Sequence, residues 1–282
     1  MNNKVSPIIS AKELKLVLDD KDLVLIDASY PNGKESFKVE HIKGALYVDL
    51  DADLADIKSD YANGGRHPLP SVEQFTNLLG HLGIQNNSHV VIYDRNNGAF
   101  ASRMWWMMRS IGHQNVQVLN GGFAQALANG VEMETESLAE IEPANYSANS
   151  WSWKTSNMDE VTTALKEEGK MVIDVRGQAR YDGEVEPIDI IAGHIPDAMN
   201  VPFADNLRSN GTFKNKEALI NQYREVLRHV DSKNVIFHCG SGVTACHSIL
   251  ALDIAGFETP SLYVGSWSEW SRNNKPMVTN EK

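Results

Sequence analysis

The stretch "NVIFHCGSGVTACHSIL", residues 234–250, joins a short apolar run to a segment of helical character, with a cysteine at the junction. The apolar run predicts a buried strand, and the residues from about Val243 onward predict a helix. Between them, Cys239 is followed by Gly240 and Gly242, which indicate a sharp turn. A strand that leads directly into a helix is typical of parallel α/β sheets, in which functional groups gather at the carboxyl ends of the strands. The stretch therefore predicts an α/β fold with Cys239 at its functional edge.

The chain contains an internal repeat. Four pairs of segments resemble one another in the same order, about 150 residues apart: "LVLIDAS" (23–29) and "MVIDVR" (171–176), "EHIKGALYVDL" (40–50) and "GHIPDAMNVPF" (193–203), "VVIYDRNNGAF" (90–100) and "VIFHCGSGVTA" (235–245), and "VLNGGFAQAL" (118–127) and "LYVGSWSEW" (262–270). A tandem duplication explains this order. Each copy alternates strands with helices, which predicts two domains, each a parallel sheet with helices on both faces.

The domain boundaries follow from the segment between the copies. Residues 133–154 have no sustained hydrophobic period and include Pro143, which is typical of a linker. We therefore expect domains at residues 1–132 and 155–282. Three residue pairs match the capping box at the start of a helix: Ser10 with Glu13, Ser71 with Gln74, and Ser156 with Asp159.

Composition narrows the class of protein. The 26 basic and 37 acidic side chains give a formal net charge of -11, and no basic stripe is present, so we expect no nucleic-acid partner. The N-terminus has no long apolar segment and no run of apolar residues could cross a bilayer, so neither export nor a membrane span is expected. Cys239 and Cys246 are the only cysteines. Their spacing on a helix is too wide for a disulfide, which predicts free thiols and a cytoplasmic location.

The glycines suggest what the thiol does. If Gly240 and Gly242 adopt backbone angles closed to other residues, successive N–H groups can converge on the sulfur, and the helix N-terminus adds partial positive charge. Such an environment stabilises a thiolate, the reactive form of cysteine. The alternative is that Cys239 is an inert core residue, as we expect for Cys246, which lies in an apolar helical pattern. The position of Cys239 in a glycine-rich turn favours the functional interpretation.

A second alternative is a cysteine-dependent phosphatase or an arsenate-reductase-like enzyme. The run "HCGSGVTA" matches the pattern HCxxGxxR of such enzymes except at the last position. There a phosphate dianion needs a planar, bidentate cation, whereas this chain has Ala245. Oxyanion chemistry of that kind is therefore disfavoured.

The two copies, the cysteine in the second copy and the run "CGSGVTA" resemble the two-domain rhodanese family, which includes 3-mercaptopyruvate and thiosulfate sulfurtransferases. The resemblance covers nearly the whole chain and implies an inactive first domain, because Asp94 occupies the place of Cys239 in the repeat. It implies that Cys239 accepts a sulfane sulfur as a persulfide and passes it to a thiol, cyanide or a thioredoxin-like acceptor. It also implies that no metal or organic cofactor is needed. A non-catalytic persulfide carrier is a third possibility.

The resemblance also assigns further site residues. Ser241 matches the serine that joins a histidine and an aspartate of the first domain in mercaptopyruvate enzymes, and these match His67 and Asp51. Arg180 matches one of two arginines that hold the keto acid. Ile188 stands where the second is expected, which leaves both donors open. The remaining loop residues expected to bind the substrate are Gly240, Gly242, Val243 and Thr244.

Several large side chains elsewhere carry weaker signals. Arg103 matches a family arginine, whereas Trp105, Trp106 and Met108 beside it are expected to form core. Trp267, in "YVGSW", is also expected to pack in the interior.

Overall fold

The computed structural model describes residues 5–135 and 141–280. They form two compact units: the first comprises the described residues 5–56, 70–135, 141–152 and 209–213, and the second comprises residues 57–69, 153–208 and 214–280. The short segments exchanged between the two halves of the chain were not predicted. The boundaries at 132 and 155 therefore stay a prediction, and each unit is described by itself.

The first unit contains seven strands and five helices among its described residues. The strands are β1 (Ile8–Ile9), β2 (Leu23–Asp27), β3 (His41–Ile42), β4 (Ala45–Tyr47), β5 (His89–Tyr93), β6 (Val116–Leu119) and β7 (Met133–Glu134). The helices are α1 (Ala11–Val17), α2 (Gly33–Val39), α3 (Val72–His81), α4 (Ala101–Ser110) and α5 (Gly122–Ala128). Five strands form a parallel sheet in the order β1-β6-β5-β2-β4, and β3 pairs with β7 in an antiparallel ribbon.

The second unit repeats the parallel sheet. Its strands are β8 (Thr155–Ser156), β9 (Met171–Asp174), β10 (Met199–Asn200), β11 (Val235–His238) and β12 (Ser261–Tyr263). Its helices are α6 (Met158–Ala164), α7 (Gln178–Tyr181), α8 (Lys216–Leu227), α9 (Thr244–Ala255) and α10 (Ser266–Trp270), with 3₁₀ turns at Phe203–Asn206 and Ser232–Asn234. The order β8-β12-β11-β9-β10 corresponds strand for strand to the sheet of the first unit. The α/β class, the parallel sheets and the repeat are confirmed.

Two of the three predicted helix caps are confirmed, and the third is at a different residue. Capping boxes at Ser10 and Ser71 are present as predicted. The third prediction is wrong by one residue, because Asn157 caps α6 and accepts hydrogen bonds from the N–H groups of Asp159 and Glu160. Ser156 instead lies in β8, where its hydroxyl bonds to that of Ser261 at 2.7 Å. A serine that ends an edge strand has the same sequence signature as a cap.

The segment between the copies is only partly regular. The strand β7 occupies Met133–Glu134, at the start of the predicted linker. Residues 136–140 of that linker, and residues 1–4 of the N-terminus, lie outside the described part of the chain. Within residues 5–135 and 141–280, no helix combines the length and the apolar character needed to cross a membrane.

The centre of the second unit is built on β11 and α9. All four residues of β11 are buried, and α9 buries nine of its twelve residues. The loop that connects them is thus held at both ends by the core. This places residues 239–243 at the carboxyl end of the sheet, as predicted.

Candidate active site

Cys239 directly follows β11 and is 2% exposed. Its backbone is held by the turn into α10: the Cys239 N–H donates to Ser266 Oγ at 3.1 Å, and the Cys239 carbonyl accepts from Trp267 N–H at 3.0 Å. The next carbonyl, of Gly240, accepts from Ser268 N–H at 2.9 Å. Cys239 and Cys246 are both free thiols, as predicted. The thiol therefore sits on a backbone fixed on both sides.

The two glycines of the loop have different reasons to be glycine. Gly242 has φ of +72°, and a Cβ there would lie 2.6 Å from the Val264 carbonyl oxygen, so both its conformation and its neighbour require glycine. The same expectation is wrong for Gly240, which has no left-handed φ. A Cβ on Gly240 would instead meet Arg66 Nη2 at 3.2 Å and both Nη atoms of Arg180 at 3.5 Å. Gly240 makes room for two guanidinium groups.

The first unit shows how this type of loop holds an anion. Asp94 follows β5 as Cys239 follows β11, and its carbonyl accepts from Phe123 N–H at 2.9 Å, the counterpart of the bond from Trp267. Four backbone N–H groups donate to the buried Asp94 carboxylate at 2.7–2.9 Å: those of Asn96, Gly98, Phe100 and Ala101. Burial raises the pKa of Asp94, and these four donors oppose that rise. The loop is thus a cradle for one negative charge.

In the second unit Cys239 itself stands at the position of Asp94. Within the described chain, four N–H groups of the loop that follows have no protein acceptor: those of Gly240, Ser241, Val243 and Thr244. Val243 is buried and precedes α9, and Thr244 is its first residue. Unpaired N–H groups at a strand-to-helix turn favour the binding of an anion. The loop is therefore suited to a negatively charged group at Cys239 or on a ligand.

Ser241 and His67 meet directly. Ser241 Oγ and His67 Nδ1 share a hydrogen bond of 2.7 Å, and both side chains are buried. Both residues belong to the second unit, because residues 57–69 pack there. A hydroxyl bonded to an imidazole can pass a proton in either direction.

Asp51, the third predicted member of the relay, belongs to the first unit. Its Oδ2 accepts a hydrogen bond from the Tyr30 hydroxyl at 3.2 Å, and its N–H donates to Asp49 Oδ1 at 2.9 Å. Its part in a relay with His67 remains a prediction.

The Arg180 side chain is held beside the Cys239 loop by an ion pair with Glu186. Its Nε and Nη2 donate to the Glu186 carboxylate at 2.7–3.2 Å, and the side chain is 20% exposed. Ile188, at the position expected to hold a second arginine, is 54% exposed and donates only its backbone N–H to Glu186. A second cation at the site must come from another segment.

Arg66 supplies that cation, which was not predicted from the sequence. Its Nη1 lies 2.5 Å from Asp189 Oδ1, an ion pair outside hydrogen-bond geometry, and its Nη2 points at Gly240. Arg272 pairs with the same Asp189 oxygen at 2.9 Å, and Arg180 lies 3.5 Å from the other. The buried Asp189 carboxylate thus gathers three arginines beside the loop. The only signal in the sequence was the position of Arg66 directly before His67.

A second buried ion pair lies under the nucleophile. Arg176 binds the Asp174 carboxylate through Nε and Nη2 at 2.7–3.1 Å. Burial raises the pKa of Asp174, but His238 and Arg176 outweigh it and hold the pKa below its usual value. Burial lowers the pKa of His238, the residue before Cys239, despite Asp174 at 3.8 Å. Burial therefore disfavours the charged form of His238.

The other large side chains singled out in the sequence are buried. Trp105, Trp106 and Met108 are fully buried in α4, as predicted. Arg103 is also buried there and donates from Nη2 to the Leu54 carbonyl at 3.2 Å. Trp267 is buried and donates from its ring N–H to the Ile191 carbonyl at 2.9 Å. These side chains support the units from within.

Known proteins resemble this chain over most of its length. The family model described as "Rhodanese-like domain" matches residues 10–129 and 157–273. The chain is 36% identical to a probable 3-mercaptopyruvate sulfurtransferase of Pseudomonas aeruginosa, over 97% of this chain and 98% of that one. It is also 36% identical to the thiosulfate sulfurtransferase of Mus musculus, over 90% and 86% of the two chains.

Among solved structures, the 3-mercaptopyruvate sulfurtransferase from Leishmania major superimposes with a TM-score of 0.80 at 30% identity, over 92% of this chain and 73% of that one. Both halves of the chain thus match one domain family, and full-length relatives match across both. The chain belongs to the rhodanese family of sulfurtransferases.

Proposed function

We propose that this chain moves a sulfane sulfur from a small anionic donor, 3-mercaptopyruvate or thiosulfate, to a thiophilic acceptor through a persulfide on Cys239. One observation carries the proposal: a buried cysteine begins a loop of unpaired N–H groups, beside two guanidinium groups and a serine bonded to a histidine. The similarity to sulfurtransferases that use either donor supports the same reaction class.

The first half-reaction transfers sulfur to the enzyme. The Cys239 thiolate attacks the thiol sulfur of 3-mercaptopyruvate, an S–S bond forms, and the C–S bond breaks with its electron pair on carbon. The resulting enolate of pyruvate takes up the proton released from the donor thiol. With thiosulfate, the S–S bond of the donor breaks instead and sulfite leaves. Either way Cys239 becomes an anionic persulfide, which the loop N–H groups can stabilise as the first unit stabilises Asp94.

The second half-reaction restores the thiolate. Cyanide or a thiolate attacks the outer sulfur of the persulfide, a new bond to sulfur forms, and the S–S bond breaks with its electron pair on Cys239. No redox cofactor is needed for either step. We place the activity in the cytoplasm, with a low-molecular-weight thiol or a thioredoxin-like protein as acceptor, because both cysteines are free thiols.

The arginines define the donor side. A carboxylate or sulfonate fits between Arg66 and Arg180, whose guanidinium groups approach Gly240 from two segments. Planar guanidinium groups bind such oxyanions in bidentate fashion. Arg66 thereby supplies the second cation that Ile188 does not. Arg66 and Arg180 together can bind the carboxylate of 3-mercaptopyruvate or the sulfonate of thiosulfate.

Ser241 and His67 favour the mercaptopyruvate reaction. That reaction requires a proton at the leaving carbon or at the keto oxygen, whereas sulfite leaves as a stable anion. The short bond between Ser241 and His67 provides a route for that proton. Asp51 is our third candidate member of this relay, on the family resemblance alone.

The test is thiocyanate formation from each donor and cyanide. The wild-type protein should form thiocyanate, Cys239→Ala should form none, and Cys246→Ala, which removes the other buried thiol, should retain activity. Activity in Cys239→Ala would refute the proposal, and so would turnover of an aryl phosphate without thiocyanate. Persulfide that forms but is not discharged by cyanide or thiols would identify a carrier.

The donor is tested with Ser241→Ala. We expect kcat/KM for 3-mercaptopyruvate to fall about a hundredfold, within the range that proton-transfer groups contribute, and that for thiosulfate to change less than about threefold. An equal loss with both donors would contradict the proton-transfer role.

A further inference from the structure

The segment that carries Arg66 and His67 lies along α10 and the residues after it. The Arg272 guanidinium lies over the Tyr61 ring at 5.4 Å. Asn273 Nδ2 donates to the Ala62 carbonyl at 2.9 Å, and the Gly64 N–H donates to Glu269 Oε1 at 2.8 Å. These contacts fix the position of residues 61–64, and therefore the positions of Arg66 and His67, which follow them in the chain.

Ser268 makes the contact of this row that lies nearest to Cys239. It bonds both to the segment of Arg66 and to the loop that follows Cys239. Its Oγ accepts the Arg66 N–H at 3.0 Å and donates to the Gly265 carbonyl at 3.0 Å. Its own N–H donates to the Gly240 carbonyl at 2.9 Å. One fully buried serine thus joins the backbone of the donor-binding segment to the backbone of the loop after Cys239.

The backbone around the hydrogen bond between the Arg66 N–H and Ser268 Oγ is tightly packed. Gly65 has φ of +79°, and a Cβ there would lie 2.4 Å from the Gly265 carbonyl oxygen and 2.7 Å from Ser268 Oγ. The segment therefore approaches α10 as closely as a glycine backbone allows. A shift of the segment would move Arg66 away from Gly240 and His67 away from Ser241 together.

We infer that Ser268 is a positioning residue for sulfur uptake: it sets the distance of Arg66 and His67 from the Cys239 loop and touches neither donor nor sulfur. The inference rests on the proposed function. Sulfur uptake needs Arg66 and His67, whereas discharge of the persulfide needs only Cys239 and its loop. Ser268 should therefore control the donor half-reaction and spare the acceptor half-reaction.

Ping-pong kinetics separate the two halves, because kcat/KM for the donor reports only the first and kcat/KM for cyanide only the second. In Ser268→Ala we expect kcat/KM for the donor to fall about tenfold, the effect of losing one buried hydrogen bond, with kcat/KM for cyanide within about twofold of wild type. Glu269→Gln, which removes the charge from the acceptor of the Gly64 N–H on the same segment, should give a smaller loss with the same split.

Ser271→Ala is the matched control. Ser271 is buried three residues further along, and its hydroxyl has no hydrogen-bond partner among the described residues. Both constants should stay at wild-type values in this variant. Thermal unfolding by circular dichroism verifies that each variant is folded, and if Ser268→Ala is not, the milder Glu269→Gln carries the test.

The outcomes are distinct. Equal losses in both constants, or no loss in either, would overturn the role of Ser268. A wild-type protein that forms no thiocyanate would refute the proposed function instead.

Discussion

The main effect of replacing Gly242 with alanine should be a loss of stability in the active-site loop. The residue has φ of +72°, and an L-residue held in that region costs about 1–2 kcal/mol. The added methyl group would also lie 2.6 Å from the Val264 carbonyl oxygen and 3.0 Å from its Cα, both backbone atoms that no rotamer can move. Overlap of this kind costs about 1–3 kcal/mol. The expected loss of stability is therefore about 2–5 kcal/mol.

Gly240→Ala is the matched control, two residues away in the same loop. Its φ is accessible to alanine, and its new methyl group would meet only the flexible ends of Arg66 and Arg180 at 3.2–3.5 Å. We expect a change in stability below about 1 kcal/mol. Because those guanidinium groups must move, kcat/KM for the sulfur donor should fall about tenfold.

Urea unfolding followed by circular dichroism measures stability, and thiocyanate formation measures activity. The expected pattern is a large loss of stability in Gly242→Ala and a nearly selective loss of donor efficiency in Gly240→Ala. Two variants with equal stabilities, or a Gly240→Ala enzyme with an unchanged kcat/KM for the donor, would refute the different reasons assigned to the two glycines.

Three further predictions concern single side chains. Arg66→Ala should raise KM for either donor about tenfold and leave kcat/KM for cyanide unchanged, and a selective effect on cyanide would contradict the assigned contact. Asp94→Asn should lower the free energy of unfolding by about 2 kcal/mol, because an amide has one acceptor oxygen for four N–H donors; urea unfolding would reveal it. His238 has a lowered pKa, so the unfolded chain binds its proton more readily and stability should fall as pH drops below about 6.5, by up to about 1.4 kcal/mol per pH unit. His238→Phe should show a smaller fall between pH 7 and 5, and identical slopes would show that this residue does not contribute.

The elements near Cys239 were predictable because local and global signals agree there. The apolar run of β11, the glycine with positive φ and the helix after Val243 each leave a mark in the sequence. The repeat then extended that interpretation to the whole chain. The bond between Ser241 and His67 could be anticipated only through the family resemblance, since 174 positions separate the two residues.

The cluster of three arginines around Asp189 could not be predicted from the sequence, for a physical reason. Arg66, Arg180 and Arg272 come from three distant segments, and Asp189, which gathers them, looks like an ordinary surface acid in the sequence. Burial of a charge among opposite charges leaves no local pattern. In the sequence Ile188 indicates the loss of one cation, although Arg66 on another segment supplies a cation at the site.

The burial of α9 has a consequence for how the nucleophile can move. Nine of the twelve residues of this helix are buried, and the strand before the loop is buried throughout. Local opening is easiest where few apolar contacts must be broken, so the backbone flanking the thiol should belong to the slowest-exchanging part of its unit. Amide protons of α9 should then exchange with deuterium only when the entire unit opens. Unlike enzymes whose catalytic loop breathes independently, this one should keep its reactive geometry up to the denaturant concentration at which the unit itself unfolds.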